Sequence, residues 1–147
     1  MKIGIAADHG AFYLKEKVVE ILREQGHTVT DYGADQFDAQ DDYPDFVIPM
    51  SQAVAKSDVE RGIALCGSGV GACFTANKVK GVRAALITET YSAHQGVEHD
   101  DMNVICLGGR VIGEMLVMEI LEAFLAATYS GEERHERRLN KVKNLEK

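Results

Sequence analysis

The chain has 147 residues, of which 46% are hydrophobic and 27% charged, and these proportions suit one compact domain over residues 1–147. The net charge is −7, which argues against general nucleic-acid binding because that function needs a basic surface. A small anionic ligand stays compatible with this charge, since a few arginines bind a phosphate locally within a negative field.

The cysteines and apolar stretches indicate the compartment. Cys66, Cys73 and Cys106 are odd in number and lack paired spacing, so they predict a reducing environment rather than a disulfide framework. The apolar start of the chain is too short for a signal peptide, and no later stretch is long enough to span a bilayer. We therefore expect a cytoplasmic protein without a membrane segment.

Short apolar runs alternate with helical patterns along the chain. The predicted strands cover residues 2–7, 27–31, 63–66, 83–87 and 104–107. The predicted helices cover residues 12–24, 113–129 and 132–147. A further helix is predicted from Pro44, with a late start or a kink because of Pro49, and another follows the glycine-rich residues 67–71 and runs to about 79. Residues 91–99 are predicted to form a short helix or an ordered loop. Residues 34–42 are polar and acidic, which predicts a loop.

Five strands separated by helices predict an α/β fold whose five-stranded parallel sheet is covered on both faces. In such open sheets, ligands bind at the carboxyl ends of the strands. The residues with chemical side chains that follow predicted strand ends are Asp8, His9, Cys66, Ser68 and Arg110. The strand order itself does not follow from the pattern.

The loop 66–71, with sequence Cys-Gly-Ser-Gly-Val-Gly, is the most informative segment. Glycines let backbone N–H groups converge on an anion, either a phosphate or a developing oxyanion. The same setting favours a reactive thiolate at Cys66, although a lone cysteine is usually a small buried hydrophobe. We assign function to Cys66, and core positions to Cys73 and Cys106.

The same loop also matches a dinucleotide-binding fingerprint. Gly67, Gly69 and Ala72 fit G-x-G-x-x-A, and Glu89 follows the next strand, where a ribose-binding acid would lie. A nucleotide-binding module is therefore an alternative. It leaves Cys66 without a role, and the chain has no second domain to hold a substrate for reduction.

Two more segments carry candidate residues, each with an ordinary structural explanation. Asp8 is either a helix cap or a site residue, and His99 is either a general acid/base or an exposed side chain. Arg134 and Arg138 share a helix face at i, i+4, which suits either a phosphate clamp or surface ion pairs. The acidic residues around His99 also suggest a metal site, but His94 and His99 are five positions apart and no HExxH or Cys/His pairing occurs, so the sequence does not favour one.

Together these segments resemble the type B ribose-5-phosphate isomerase family, which includes galactose-6-phosphate and allose-6-phosphate isomerases. The resemblance covers essentially the whole chain. It rests on the order of these pieces: Asp8-His9-Gly10, Asp42-Tyr43-Pro44-Asp45, residues 66–71, Ala76-Asn77-Lys78, Val82-Arg83-Ala84, Asn103-Val104, Gly109-Arg110-Val111, and Arg134-His135 with Arg138.

The resemblance implies a Rossmann-like three-layer α/β/α sandwich and an isomerase that needs no cofactor or metal. It also implies a dimer or tetramer with active sites at the subunit interface, so the helix predicted at 132–147 is expected to pack on a partner. The implied reaction interconverts ribose 5-phosphate and ribulose 5-phosphate through an enediolate, in the pentose phosphate pathway.

By position, the resemblance implies Cys66 as the base that moves a proton between C1 and C2, assisted by Ser68. It implies His99 with Asp8 as the ring-opening pair. The implied substrate-binding residues are His9, Arg110, Arg134 and Arg138 at the phosphate, Tyr43 lining the pocket, and Gly67, Gly69, Val70 and Gly71 as the loop that holds the enediolate.

Two positions refine the resemblance. Ala72 stands where one branch of the family has a glutamate base, so the chain resembles the cysteine branch. Asp100 stands where the family usually has an asparagine that binds the sugar, and an ionised aspartate cannot donate a hydrogen bond. The preferred sugar phosphate therefore stays open between ribose 5-phosphate and a six-carbon 6-phosphate, and a family member without activity is a further alternative.

Overall fold

The strands form one sheet in a computed structural model that describes residues 1–146. They are β1 (Lys2–Ala7), β2 (Thr28–Asp31), β3 (Arg61–Cys66), β4 (Ala84–Leu86) and β5 (Val104–Gly108). The predicted strands are all present. β3 begins two residues earlier than predicted, whereas β4 is shorter at both ends.

Six helices connect and follow the strands: α1 (Phe12–Glu24), α2 (Pro44–Ala55), α3 (Val70–Ala76), α4 (Thr90–Asp100), α5 (Glu114–Ala126) and α6 (Glu133–Lys143). α2 begins at Pro44 and continues through Pro49, so the expected delay is wrong; Pro at the first turn needs no N–H donor there. α3 ends at Ala76, earlier than predicted. A 3₁₀ turn over Asn144–Glu146 follows α6, and the last residue of the predicted helix lies outside the described residues.

The sheet is entirely parallel with the strand order β2-β1-β3-β5-β4. Its register pairs Ala7 with Leu65, and Leu65 with Leu107. The central strands β1, β3 and β5 therefore end level with one another, and the loops that follow them share one edge. The chain moves outward from β1 to β2 and then returns to β3 on the other side, which places a topological switch point between β1 and β3.

Alternate side chains of each strand enter two separate cores. Ile5, Ile63 and Ile105 pack with α1, α4 and α5 on one face, and Ala6, Ala64 and Cys106 pack with α2 and α3 on the other. This confirms the three-layer α/β/α sandwich with a five-stranded parallel sheet. Within residues 1–146, no helix has both the length and the apolar character needed to cross a membrane.

Candidate active site

The loops after β1 and β3 meet at the switch point. A Cβ atom on Gly10 would lie 2.7 Å from the backbone nitrogen of Gly67, so only glycine allows this approach. The loop after β5 joins them, because the N–H of Gly109 donates to the carbonyl of Cys66 at 2.9 Å and the N–H of Arg110 donates to that of Gly67 at 3.0 Å. Asp8, His9, Cys66, Ser68 and Arg110, predicted to share one edge of the sheet, come from these three joined loops.

The glycine-rich loop turns a backbone amide toward the thiol. Gly69 has φ +82°, a left-handed conformation in which glycine has no Cβ penalty. The turn lets the Gly69 N–H donate to Cys66 Sγ at 3.0 Å, and the Val70 N–H donates to Ser68 Oγ at 3.3 Å. Cys66 is only 4% exposed, so its sulfur lies at the base of the loop beside the N–H donor of Gly69.

Two cationic side chains flank the carboxyl of Asp8. The Asp8 carboxylate accepts a hydrogen bond from the Gly10 N–H at 2.9 Å, so it caps the turn after β1, as one of the two interpretations proposed. Burial raises the pKa of Asp8, while the positive charges of His9 and Arg110 act against that rise. The Arg110 side chain lies over Gly67, whose Cβ position is 3.5 Å from its Nη1. His9 and Arg110 are the two cationic side chains beside Cys66, and we call them the cationic edge; the carboxyls of Asp8 and Asp41 lie next to them.

Asp41, which the sequence analysis did not single out, holds His9 at this edge. Its Oδ1 accepts hydrogen bonds from the His9 N–H at 3.0 Å and lies 2.6 Å from His9 Nδ1. Asp41 lies in the acidic segment predicted simply as a loop, and no motif distinguishes it from its acidic neighbours. His9 becomes the partner of Asp41 only in the folded protein, because the loop returns across the end of β1.

Asp8, His9 and Asp41 have potential ligand atoms within 4.8 Å of one another, so we tested this cluster as a metal centre. Metal–ligand bonds of about 2.0–2.2 Å in tetrahedral geometry hold neighbouring ligand atoms about 3.3–3.6 Å apart. The 2.6 Å between His9 Nδ1 and Asp41 Oδ1 is shorter and matches a charge-assisted hydrogen bond. We interpret the cluster as a hydrogen-bonded network.

Tyr43 packs on the glycine-rich loop. A Cβ on Gly71 would lie 2.5 Å from Tyr43 Cζ, so the aromatic ring is packed directly on the glycine-rich loop. Phe74 of α3 contacts the same ring edge-on, with centroids 6.3 Å apart. Tyr43 thus stands next to the loop, and its role in lining a substrate pocket stays a prediction.

The remaining predicted residues form a second cluster on α4 and α6. The ring of His99 stacks on that of His135 with centroids 4.0 Å apart. His135 is 2% exposed, and its Nδ1 lies 2.7 Å from Ser130 Oγ. Its pKa is lowered by burial and by the nearby positive charges of His99, Arg134 and Arg138, which places both arginines around the stack.

The two clusters lie at opposite edges of the sheet. β4 and β5 are parallel, so α4 must start at the carboxyl edge and return to the amino edge, where it ends with His99 and Asp100. Asp100 and Arg138 line a cavity of about 560 Å³ there, together with Arg83. Within one subunit, His99, Asp100, Arg134 and Arg138 therefore lie away from Cys66.

The nucleotide-binding alternative loses its acidic residue. The Glu89 carboxylate caps α4 by accepting a hydrogen bond from the Ser92 N–H at 3.0 Å. Hydrogen bonding with the Ser92 side chain, and then with its backbone N–H, lowers the pKa of Glu89. The expected core assignment holds for Cys106, which is fully buried. Cys73 is only half-buried, so that part of the prediction is only partly correct.

Known proteins match the chain over nearly its whole length. The family model for ribose/galactose isomerases matches residues 3–142. A crystal structure of ribose-5-phosphate isomerase B from Mycoplasma genitalium with bound ribulose-5-phosphate is 42% identical, covers 99% of this chain and 95% of its own, and superposes with a TM-score of 0.94.

Two further relatives have similar coverage. Ribose-5-phosphate isomerase B from Escherichia coli K12 is 39% identical over 99% of this chain and 96% of its own length. A D-erythrulose-4-phosphate isomerase from Pectobacterium atrosepticum is 42% identical over 89% of this chain and 86% of its own. With a matching family model, sequence identity near 40% and the same fold, the chain belongs to the ribose/galactose isomerase family.

Proposed function

We propose that this protein is an aldose–ketose isomerase that interconverts ribose 5-phosphate and ribulose 5-phosphate in the cytoplasm, as a single domain over residues 1–147. The proposal rests on one observation: Cys66 Sγ accepts a hydrogen bond from the Gly69 N–H at 3.0 Å, beside the cationic edge of His9 and Arg110. A poised thiol next to an anion-binding edge suits proton abstraction from a phosphorylated sugar.

The chemical step moves one proton. Cys66, as thiolate, takes the proton from the carbon next to the carbonyl, and negative charge develops on the substrate oxygen. The amides of Gly67 and Gly71 stabilise this enediolate directly, and those of Gly69 and Val70 join them once they leave Cys66 Sγ and Ser68 Oγ. Such a donor is worth roughly 3–4 kcal/mol in other enzymes. Ser68 assists proton transfer between the sugar oxygens. The proton then returns to the neighbouring carbon, so the reaction needs no cofactor or metal.

Ring opening comes first, because the sugar phosphate is mostly a closed furanose. A proton leaves the hydroxyl on C1 and another is given to the ring oxygen. Asp8 serves in this step with His99, and the raised pKa of Asp8 suits a carboxyl that exchanges protons closer to neutral pH. Tyr43 holds the sugar against the loop.

A second copy of the chain completes the site. Four of the proposed site residues lie at the amino edge of the sheet, away from Cys66: His99, Asp100, Arg134 and Arg138. The proposed chemistry needs these four residues together with those at the carboxyl edge. A homodimer in which the α4–α6 face of one subunit covers the carboxyl edge of the other brings them together. Arg134 and Arg138 then join His9 and Arg110 at the phosphate, and Asp100 meets the sugar. α6, extremely polar on its outer side, packs on the partner in this arrangement.

The test is an isomerisation assay of the purified protein on ribose 5-phosphate, with D-erythrulose 4-phosphate, allose 6-phosphate and galactose 6-phosphate in parallel. We expect efficient turnover of ribose 5-phosphate. Turnover of another member of the panel alone would keep the mechanism and change the substrate. No turnover of any of them, with tight binding of NAD or ATP by calorimetry, would refute the proposal in favour of a nucleotide-binding module.

A further inference from the structure

His9 is held by a carboxylate that the proposed reaction does not otherwise use. Asp41 Oδ1 accepts from the backbone N–H of His9 at 3.0 Å and lies 2.6 Å from its ring Nδ1. Two contacts from one oxygen fix both the backbone position and the ring orientation of His9. With Nδ1 engaged by Asp41, the other ring nitrogen, Nε2, is the donor left for a ligand.

The pair is largely shielded from water. The Asp41 side chain is 9% exposed, against 28% for His9, and Asp41 Oδ2 is buried with no hydrogen-bond partner among residues 1–146. A shielded carboxylate interacts with a neighbouring cation more strongly than an exposed one does. The charge of Asp41 is therefore directed chiefly at the imidazole of His9.

The charged groups that act on His9 among residues 1–146 are Asp41, Asp8 and Arg110. The hydrogen bond with Asp41 raises the pKa of His9, and the negative charges of Asp8 and Asp41 add to it, while burial and the positive charge of Arg110 act in the opposite direction. Phe37 packs edge-on to the imidazole with centroids 6.5 Å apart and carries no charge. The two carboxylates raise the pKa of His9 by more than burial and Arg110 lower it.

We infer that Asp41 is a positioning residue for substrate binding: it holds His9 in the imidazolium form with Nε2 directed to the phosphate group of the sugar. The inference rests on the proposed function, in which His9 is a phosphate ligand. An imidazolium donates a charge-assisted hydrogen bond, roughly twice as strong as a neutral one. Asp41 thus extends phosphate binding to pH values at which an ordinary histidine is neutral.

The pH window follows from the direction of the shift. Well below the ordinary histidine pKa of 6.5, His9 is charged with or without Asp41. Above 6.5 and up to the raised pKa, it is charged only with Asp41. Above the raised pKa it is neutral in both cases. The effect of Asp41 on substrate binding must therefore be largest just above pH 6.5 and disappear at acidic pH.

The experiment compares Asp41→Asn with the wild-type protein. The imidazole signal of His9, assigned by its loss in His9→Ala, is titrated by NMR in the free enzyme. KM and kcat are measured for ribose 5-phosphate across the pH range. We expect a lower His9 pKa in the variant and a KM raised about threefold to tenfold near neutral pH. We expect kcat within about twofold of the wild type, and equal KM values at about pH 5.5.

Two further variants separate positioning from folding. Asp38→Asn changes a carboxylate of the same loop that accepts from the Gln40 N–H at 2.9 Å in an exposed position, and it should leave the His9 pKa and the KM profile unchanged. Asp41→Glu keeps the charge and should restore most of the His9 shift. If Asp41→Asn unfolds, the wild-type titration remains as the test: the pKa of His9 must lie above the ordinary value of 6.5 and KM must rise as the pH passes through it, and a His9 pKa at or below 6.5 would overturn the inference.

An unchanged His9 pKa in Asp41→Asn would overturn the inference, and so would a lowered pKa with an unchanged KM profile. Failure of the proposed function is a different result: no sugar phosphate turned over by the wild type. In that case the His9 signal is titrated with inorganic phosphate in place of the kinetics. Phosphate affinity that still depends on Asp41 near neutral pH would support the inference, and affinity independent of Asp41 would refute it.

Discussion

Single side chains decide the chemistry that this site supports. Cys66→Ala removes the proposed base and leaves the loop amides and cationic edge in place, so we expect kcat to fall by at least about 100-fold. Affinity for a phosphate-bearing inhibitor should change little. Steady-state kinetics with ribose 5-phosphate and calorimetry with the inhibitor measure the two effects.

Cys73 provides the matched control for Cys66. It is half-buried, and its Sγ lies 3.8 Å from the Ala84 carbonyl oxygen. Hydrogen bonding with Cys106 lowers the pKa of Cys73 to about 7, so thiol reagents would label it as well as Cys66. Substitution is therefore the cleaner test. Cys73→Ala should keep most of the turnover, and near wild-type turnover in Cys66→Ala would refute the base assignment.

His135 makes stability depend on pH. Its pKa is lowered, first by burial, so the unfolded chain binds a proton that the folded chain does not. The neutral, buried His135 therefore stabilises the fold fully above the ordinary histidine pKa of 6.5. This stabilisation is lost as the pH falls through the lowered pKa of His135. We expect His135→Gln to flatten the decline of unfolding free energy over this window, measured by urea denaturation. An unchanged slope would show that other groups cause the acid sensitivity.

Lys15 is an unusual core residue, because its side chain is fully buried. Its ammonium pairs with Asp31 and with Glu16 at 2.8 Å, and lies 5.4 Å from the centroid of the Phe12 ring. Lys15→Met keeps most of the volume and leaves Asp31 without its partner. Since Asp31 is partly exposed, we expect a loss of about 2 kcal/mol in unfolding free energy, below the range for fully buried pairs.

Chemical denaturation measures this loss, and the double variant Lys15→Met/Asp31→Leu tests its cause. If the unpaired carboxylate is the cost, the double variant should recover part of the stability. No recovery would assign the loss to the packing of Lys15.

At the level of elements, the turn from β3 into α3 determines where the loop amides point. A Cβ on Gly69 would lie 2.6 Å from Leu86 Cδ1 and 2.9 Å from the carbonyl carbon of Leu107. This carbonyl carbon belongs to the backbone of β5, which cannot shift without disturbing the sheet. Gly69→Ala should therefore lower stability by about 2–4 kcal/mol and reduce kcat, because the Gly69 N–H turns away from Cys66.

Gly26→Ala separates conformation from crowding. Gly26 has a similar φ of +88° and nothing within 4 Å of its Cβ position, so its substitution costs only the left-handed conformation, about 1 kcal/mol. Thermal unfolding and kinetics of both variants are compared. Equal losses of stability would show that the contacts of Gly69 do not matter, and wild-type kcat in Gly69→Ala would remove its amide from the mechanism.

For the whole molecule, the division of the site between two edges of the sheet makes a prediction about mixed subunits. Cys66→Ala subunits and Arg134→Ala/Arg138→Ala subunits should each have low activity at low substrate concentration. In a mixed dimer, one of the two sites combines the intact Cys66 of one chain with the intact arginines of the other. Refolding the two variants together in equal amounts should restore about a quarter of the wild-type activity.

The same variants mixed without refolding, under conditions in which subunits do not exchange, are the control. If refolded mixtures gain no activity, the arginines and Cys66 do not act in a shared site. Size-exclusion chromatography with light scattering confirms that the mixture has the same assembly as the wild type.

The sequence by itself determined the class of fold. Alternation of short apolar runs with helical patterns predicted all five strands and the parallel, two-faced sheet, because hydrophobic periodicity depends on local geometry alone. Segment ends were less accurate: β4 and α3 are shorter than predicted. Their ends depend on contacts with other elements, such as the Asn77 side chain that accepts from the Ala84 N–H at 2.9 Å.

The sequence also determined which residue types are available for chemistry, since Cys66 ends a strand, Asp8, His9 and Arg110 follow strands, and all four must share one edge. Only the tertiary structure decided the strand order, the partnership of Asp41 with His9, and the separation of His99 from Cys66. These depend on contacts between residues distant along the chain, such as His9 and Asp41, 32 positions apart. Such contacts leave no periodic trace in a single sequence, because they form only when the loops fold back over the sheet.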